Sequence, residues 1–292
     1  MVTRSRPWLP NSTPGSGTWA MPDTSEGSRS MPHSRPPRAL VPSSRPDGAV
    51  VRPRPVEAPA MRLFLLHHAG GSHLAYREWA EHLPADWEIC LIEAPGRGRL
   101  HRLPPHPAVD DLARWAADAV EPLLDRPFGI FGHSLGAMAA YELTRLLQAE
   151  GRALPRWLGI SAVRPPHAGR EAVHRRSHLP VGELKEELER IGGTTREVLD
   201  EPSLWELFEP LLRNDFAAAE QWRPDTGLPP LPVPLSVYGG EDDPAVSAES
   251  LAGWERWTTR WLGLRLFPGG HFYFQQAVPE MVGRIVADAR AV

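Results

Sequence analysis

Short uninterrupted apolar runs alternate along this chain with stretches of helical spacing, and that alternation constrains the fold more than any other feature. The runs are Leu63-Phe64-Leu65-Leu66, Ile89-Cys90-Leu91-Ile92, Phe128 to Phe131, Trp157-Leu158-Gly159-Ile160, Leu235 to Tyr238 and Leu264 to Phe267. Most lack the polar/apolar alternation of a strand with one wet face, so they read as strands covered on both sides. Between them, Val109 to Leu124, Leu135 to Glu150 and Ser247 to Trp261 carry helical spacing. Strand and helix in turn predict an α/β fold with a mostly parallel, doubly wound sheet. Val50 to Pro55 offers one more strand at an edge, where prolines are tolerated.

The pattern fails in two places. Residues 1–47 are rich in Pro, Ser, Arg and Gly and nearly free of apolar periodicity, so they predict a disordered extension before a domain spanning 48–292. Residues 164–228 hold helical pieces, Val181 to Ile191 and Ser203 to Phe216, but no clear strand. They read as a helical lid inserted over the C-terminal edge of the sheet, where ligands bind in such folds.

Gly132-His133-Ser134-Leu135-Gly136 follows a strand and opens a helix. In that setting G-x-S-x-G is a nucleophile elbow: the tight turn forces the serine into a rarely used backbone conformation, and side chains at 132 and 136 would meet backbone. A serine nucleophile needs a base, and the base needs an orienting acid. Both occur later in the chain at strand ends. Gly239-Gly240-Glu241-Asp242-Asp243-Pro244 supplies the acid, with Asp243 preferred over Asp242. Pro268-Gly269-Gly270-His271 supplies the base. Of the 12 histidines, only His271 follows both a strand and a Gly-Gly turn and comes last in the order Ser, Asp, His. Backbone N–H groups of Leu135 and of Ala69, in the loop His68-Ala69-Gly70-Gly71-Ser72, are the expected oxyanion donors. His67, His68 and Gly70 are expected to line the substrate site, whereas His133 should turn away from Ser134 and pack.

These residues resemble the type II thioesterases, stand-alone editing enzymes of polyketide and nonribosomal peptide assembly lines. The resemblance rests on LFLLHHAGGS at 63–72, Ala94-Pro95-Gly96-Arg97-Gly98, the elbow, Leu212-Arg213-Asn214-Asp215-Phe216, the acid turn and Pro268 to Tyr273, in that order. It implies an α/β-hydrolase fold with Ser134, His271 and Asp243 as the catalytic triad. It further implies hydrolysis of acyl thioesters on the phosphopantetheine arm of an acyl or peptidyl carrier protein, with no metal or bound cofactor. The family often has proline where His67 stands. An oxygen-ester hydrolase or lipase, a cyclising thioesterase and a catalytically silent binding protein are the rival readings.

Composition narrows the setting. A net charge of −4 gives no global field for nucleic acid. No apolar run reaches membrane-span length, so a cytoplasmic monomer without membrane or nucleic-acid partners is expected. Cys90 is the only cysteine and lies inside an apolar run, as a buried structural thiol would. Of 32 lysines and arginines only Lys185 is a lysine. Arg97, Arg99, Arg102, Arg164, Arg170, Arg175 and Arg176 are candidates for a basic rim facing an acidic carrier.

Overall fold

The apolar runs fold as seven strands in one sheet. The structure, a computed structural model, describes residues 48–168 and 175–292; the extension expected over 1–47 lies outside the described residues. The strands are β1 (Val50–Val51), β2 (Met61–Leu66), β3 (Trp87–Ile92), β4 (Phe128–His133), β5 (Trp157–Ser161), β6 (Leu231–Gly240) and β7 (Thr258–Phe267). Their order is β1-β3-β2-β4-β5-β6-β7. Only β1 pairs antiparallel; every other pairing is parallel. The chain leaves β2 towards one edge to make β3 and then returns to β2's other side for β4. The topological switch point therefore lies between β2 and β4, where the parallel sheet opens a crevice at its C-terminal edge.

Side chains of β2 show why the runs are unbroken. Phe64 and Leu66 enter one core with α1 (Val109–Val120) and α2 (Leu135–Ala149). Leu63 and Leu65 enter a second core, on the other face, with α7 (Val278–Arg290). Both faces are dry, so both alternating sets must be apolar. Cys90 is buried in the first core, and burial pushes its thiol up to about 12, as an inert packing residue requires.

Between β5 and β6 the described residues hold α3 (Val181–Ile191), α4 (Arg196–Asp200) and α5 (Pro202–Gln221), and no strand. These helices have their own small core, in which Leu184, Leu188, Leu199, Trp205, Leu212 and Phe216 meet. No helix among the described residues is long and apolar enough to cross a membrane.

One predicted element is corrected. Helical spacing over Ser247 to Trp261 yields only α6 (Ala248–Ala252) and a 3-10 turn at Gly253–Trp257, after which the chain is already β7. The β-branched pair Thr258-Thr259 favours extended backbone. Pairing of Leu231 with Thr258 lengthens β6 and β7 together, and the Thr258 hydroxyl donates to the Val233 carbonyl at 2.6 Å. Pro232 and Pro234 are absorbed by a register shift in that pairing.

A half-buried carboxyl ties α2 to the end of α5. The Trp222 indole N–H donates to Glu142 Oε1 at 2.7 Å, and burial raises the Glu142 carboxyl from 4.5 to about 7. Between those values the folded chain holds a proton that the unfolded chain has released. This group's contribution to stability therefore falls as pH rises through that window. Glu142→Gln keeps the acceptor and removes the titration. Its melting temperature relative to wild type is expected to rise from about pH 5 to about pH 7.5; thermal unfolding of both proteins across that range measures it.

Candidate active site

Ser134 stands between β4 and α2 with φ 55° and ψ −117°, a left-handed conformation that costs a non-glycine residue about 1–3 kcal/mol. The surrounding chain enforces it. Ser134 N–H donates to the Ser161 carbonyl at 2.9 Å, while its own carbonyl accepts from Ala137 and Met138 and so starts α2. A Cβ at Gly132 would collide with the Gly136 carbonyl, and one at Gly136 with the carbonyls of Leu66 and His67. Glycine at 136 thus lets α2 settle directly on the end of β2. Leu66 pairs with Gly132 across the switch point, which sets the loop after β2 beside the elbow.

That loop is the His68–Ser72 segment. Gly71 N–H donates to the His68 carbonyl at 3.0 Å, and His68 Nδ1 lies 3.0 Å from the Ala69 carbonyl oxygen. Burial lowers His68 to about 4, so its ring is neutral and Nδ1–H is the donor. Its edge meets Phe272 with centroids 4.7 Å apart.

Asp243 and His271 come from the turns after β6 and β7. His271 Nδ1 lies 2.8 Å from Asp243 Oδ2. The Asp243 side chain is wholly buried, and its Oδ1 accepts from the N–H groups of Ala245 at 2.7 Å and Val246 at 3.2 Å. Three donors on one carboxylate fix its orientation. Neighbouring Asp242 is exposed; the carboxylate that meets His271 is that of Asp243.

Ser134 and His271 both line two cavities, of about 280 Å³ and about 310 Å³. The first runs between the His68–Ser72 loop and the inserted helices, with Leu188, Ile191, Phe208, Leu212 and Phe216 on its wall. The second is more polar, with Arg164, Arg176, Arg190 and Glu220. His133 turns away from Ser134 as expected. It is fully buried, with Nδ1 2.7 Å from the Ser161 hydroxyl, which is in turn 2.6 Å from the Tyr273 hydroxyl. Burial holds the His133 ring well below its ordinary pKa, so this ring is neutral.

Two expected site residues are elsewhere. His67 belongs to the lining of neither cavity: α2 packs over its carbonyl at Gly136, and its Nδ1 faces the His68 carbonyl at 2.9 Å. Arg97 is no rim residue. It is buried, and Nη1 and Nη2 donate to Asp215 Oδ2 and Oδ1 at 2.8 and 3.0 Å. Arg99, Arg102 and Arg175 are exposed; Arg176, on the wall of both cavities, pairs with Glu187. Arg170 lies outside the described residues. Asp215 itself carries no role in the sequence reading. The available signal is a carboxylate on the apolar stripe Leu212, Phe216 and Ala219 of α5, a place that demands a buried cation.

Among the described residues no group of three or more His, Cys, Asp or Glu side chains is placed to hold a metal ion.

Residues 61–288 match the family described as thioesterase domain. Thioesterase PikA5 of Streptomyces venezuelae is 33% identical over 251 residues, covering 82% of this chain and 87% of that protein. Among solved structures, YbtT, a type II thioesterase from the yersiniabactin NRPS/PKS pathway, superposes with a TM-score of 0.75. It shares 32% identity, over 83% of this chain and 98% of its own. RedJ, a thioesterase from the prodiginine pathway of Streptomyces coelicolor, gives 0.73 at 29% identity, over 87% and 91%.

Gly136→Ala tests the close approach. Overpacking there is expected to cost about 1–3 kcal/mol or more. Thermal unfolding should show a lowered melting temperature, together with slower labelling of Ser134 by a fluorophosphonate, because the elbow and the Ala69 loop are pushed apart.

Proposed function

The chain belongs to the type II thioesterases, and from that premise we propose that it hydrolyses acyl thioesters on the phosphopantetheine arm of a carrier protein, clearing aberrant or stalled acyl groups from a polyketide or nonribosomal peptide synthase. The observation that carries the reading is the His271–Asp243 pair, buried and opening onto the same cavities as the strained Ser134.

In the proposed cycle, His271 takes the Ser134 proton as Oγ attacks the thioester carbonyl. Asp243 holds the ring with Nδ1–H towards itself and stabilises the imidazolium that forms. The N–H groups of Ala69 and Leu135 receive the oxyanion, Leu135 with the added field of the α2 N-terminus. Collapse of the tetrahedral intermediate breaks the C–S bond, and His271 protonates the departing thiolate. His271 then deprotonates a water that attacks the acyl-serine. The carboxylic acid leaves, and Ser134 regains its proton.

The helices between β5 and β6 act as the lid in this reading. The apolar cavity against Leu188, Phe208 and Phe216 suits the acyl group. A cytoplasmic, monomeric enzyme fits the single buried thiol and the location of carrier-borne synthesis. Exposed Arg99, Arg102 and Arg175 provide positive charge for an acidic carrier.

Ser134→Ala is expected to abolish turnover of an acyl-loaded carrier while leaving the circular dichroism spectrum and melting temperature near wild type. Asp243→Asn is expected to lower kcat by on the order of 10⁴-fold, through the wrong imidazole tautomer, whereas Asp242→Asn leaves it unchanged. Retained hydrolysis by the Ser134 variant rejects the assignment.

A matched pair of substrates separates the rivals, since an oxygen-ester hydrolase would favour the ester over the thioester. Reversing the charge at Arg99, Arg102 and Arg175 together should raise KM for carrier-borne substrate and leave KM for a small acyl thioester unaltered.

A further inference from the structure

We infer that Asp215 and Arg97 are positioning residues for the oxyanion hole: a carboxylate on α5 and a guanidinium from the loop after β3 together hold the backbone on which the Ala69 N–H is presented. The inference rests on the assignment of Ala69 as an oxyanion donor.

Ala69 lies between two peptide units, and both are restrained. The unit before it carries the Ala69 N–H and the His68 carbonyl, and that carbonyl accepts from Gly71 N–H at 3.0 Å. The unit after it carries the Gly70 N–H, which donates to Asp215 Oδ2 at 2.8 Å. The Gly71 carbonyl accepts from Arg97 Nη1 at 3.0 Å. The same Nη1 also reaches Asp215 Oδ2, and Arg97 Nη2 reaches Oδ1, so the ion pair is bidentate. Arg97 Nε adds a bond to the Pro95 carbonyl at 3.3 Å. The clamp therefore grips the loop by one N–H and one carbonyl, on successive residues.

The loop needs such a clamp. Gly70 has φ +70°, and two adjacent glycines leave its backbone with the widest conformational choice of any residue type. An oxyanion donor acts only when preorganised at hydrogen-bond distance from the developing charge. The clamp is also built for rigidity. Both side chains are about 95% buried, at 6% and 5% exposure, and a planar fork against a carboxylate fixes angle as well as distance. The α5 turn that carries Asp215 is itself anchored. Arg213 Nη1 donates to the carbonyls of Ser177 and Leu179 at 3.0 and 2.8 Å, and Asn214 Nδ2 to that of His106 at 2.8 Å. Three consecutive side chains of one helix thus hold three separate loops. The Leu212-Arg213-Asn214-Asp215-Phe216 motif gains a physical reason, since its two outer residues line the apolar cavity.

A buried ion pair that served stability alone would change the melting temperature when altered and leave the chemistry of each folded molecule untouched. A positioning pair changes the chemistry. The full-length Arg97→Lys and Asp215→Asn variants separate the two. Each is assayed with an acyl-N-acetylcysteamine thioester after fluorophosphonate titration of active sites, so that kcat refers to folded enzyme only. The expected result is a fall of kcat by about 10- to 100-fold, less than the about 10²–10³-fold for deleting a donor outright. KM should stay within about twofold, since the loss falls on the transition state. Affinity for an alkyl boronic acid, which forms a tetrahedral adduct on Ser134, should fall in parallel with kcat.

Unchanged kcat per titrated site with unchanged boronate affinity overturns the positioning role, whatever happens to the melting temperature. If Asp215→Asn does not fold, Arg97→Lys decides, because it keeps the charge and loses only the fork. Failure of the underlying thioesterase reading has a different signature, hydrolysis that survives Ser134→Ala. A Ser134-dependent enzyme indifferent to both clamp variants removes this inference alone.

Discussion

The close approach of α2 to the end of β2, allowed by the missing side chain at Gly136, is the contact on which the rest of the site depends. It lets the helix that begins at Ser134 pack on the Leu66 and His67 carbonyls, with Leu66 already paired to Gly132 across the switch point. Ser134 and the loop after β2 are therefore neighbours through backbone geometry, before any side chain is considered. The strain at Ser134 is sustained because a hydrogen-bonded strand on one side and a helix on the other over-determine it.

Electrostatics then assign the histidines. His133, His67 and His68 lie near the elbow, and desolvation keeps all three below their ordinary pKa, hence uncharged in neutral solution. His271 differs because its Nδ1 faces a buried carboxylate that two backbone N–H groups hold in place. Of these four imidazoles, only the His271 ring meets a carboxylate. Below it, the Ser161 hydroxyl joins His133 Nδ1 to the Tyr273 hydroxyl.

The inserted helices contribute more than a cover. Their apolar residues close one cavity above Ser134, and Asp215 reaches down to the loop beside it. The inserted helices and the His68–Ser72 loop share one buried ion pair, so the α5 end of the insertion is fastened to the sheet layer. Trp222, at the end of the same helix, is fastened to α2 through Glu142.

The periodicity of the chain was enough to determine a parallel doubly wound sheet. A strand buried on both faces must be apolar at every position, and helices must cover it. The elbow was legible because its glycines are a steric necessity. That Asp243 and His271 would meet was legible because strand ends on one edge converge. Periodicity misread 258–261, where pairing with β6 overrode helical spacing. Local sequence also misplaced two side chains. Arg97 sits in a Gly-rich loop and reads as solvated, and His67 sits beside His68 and reads as its equivalent. Only the tertiary structure decided that Arg97 meets Asp215, which is 118 residues away, and that α2 packs on the His67 carbonyl while His68 lines the cavity. Sequence fixes a residue's period and its place relative to a strand end. The partner of a buried charge depends on which segments the fold brings together.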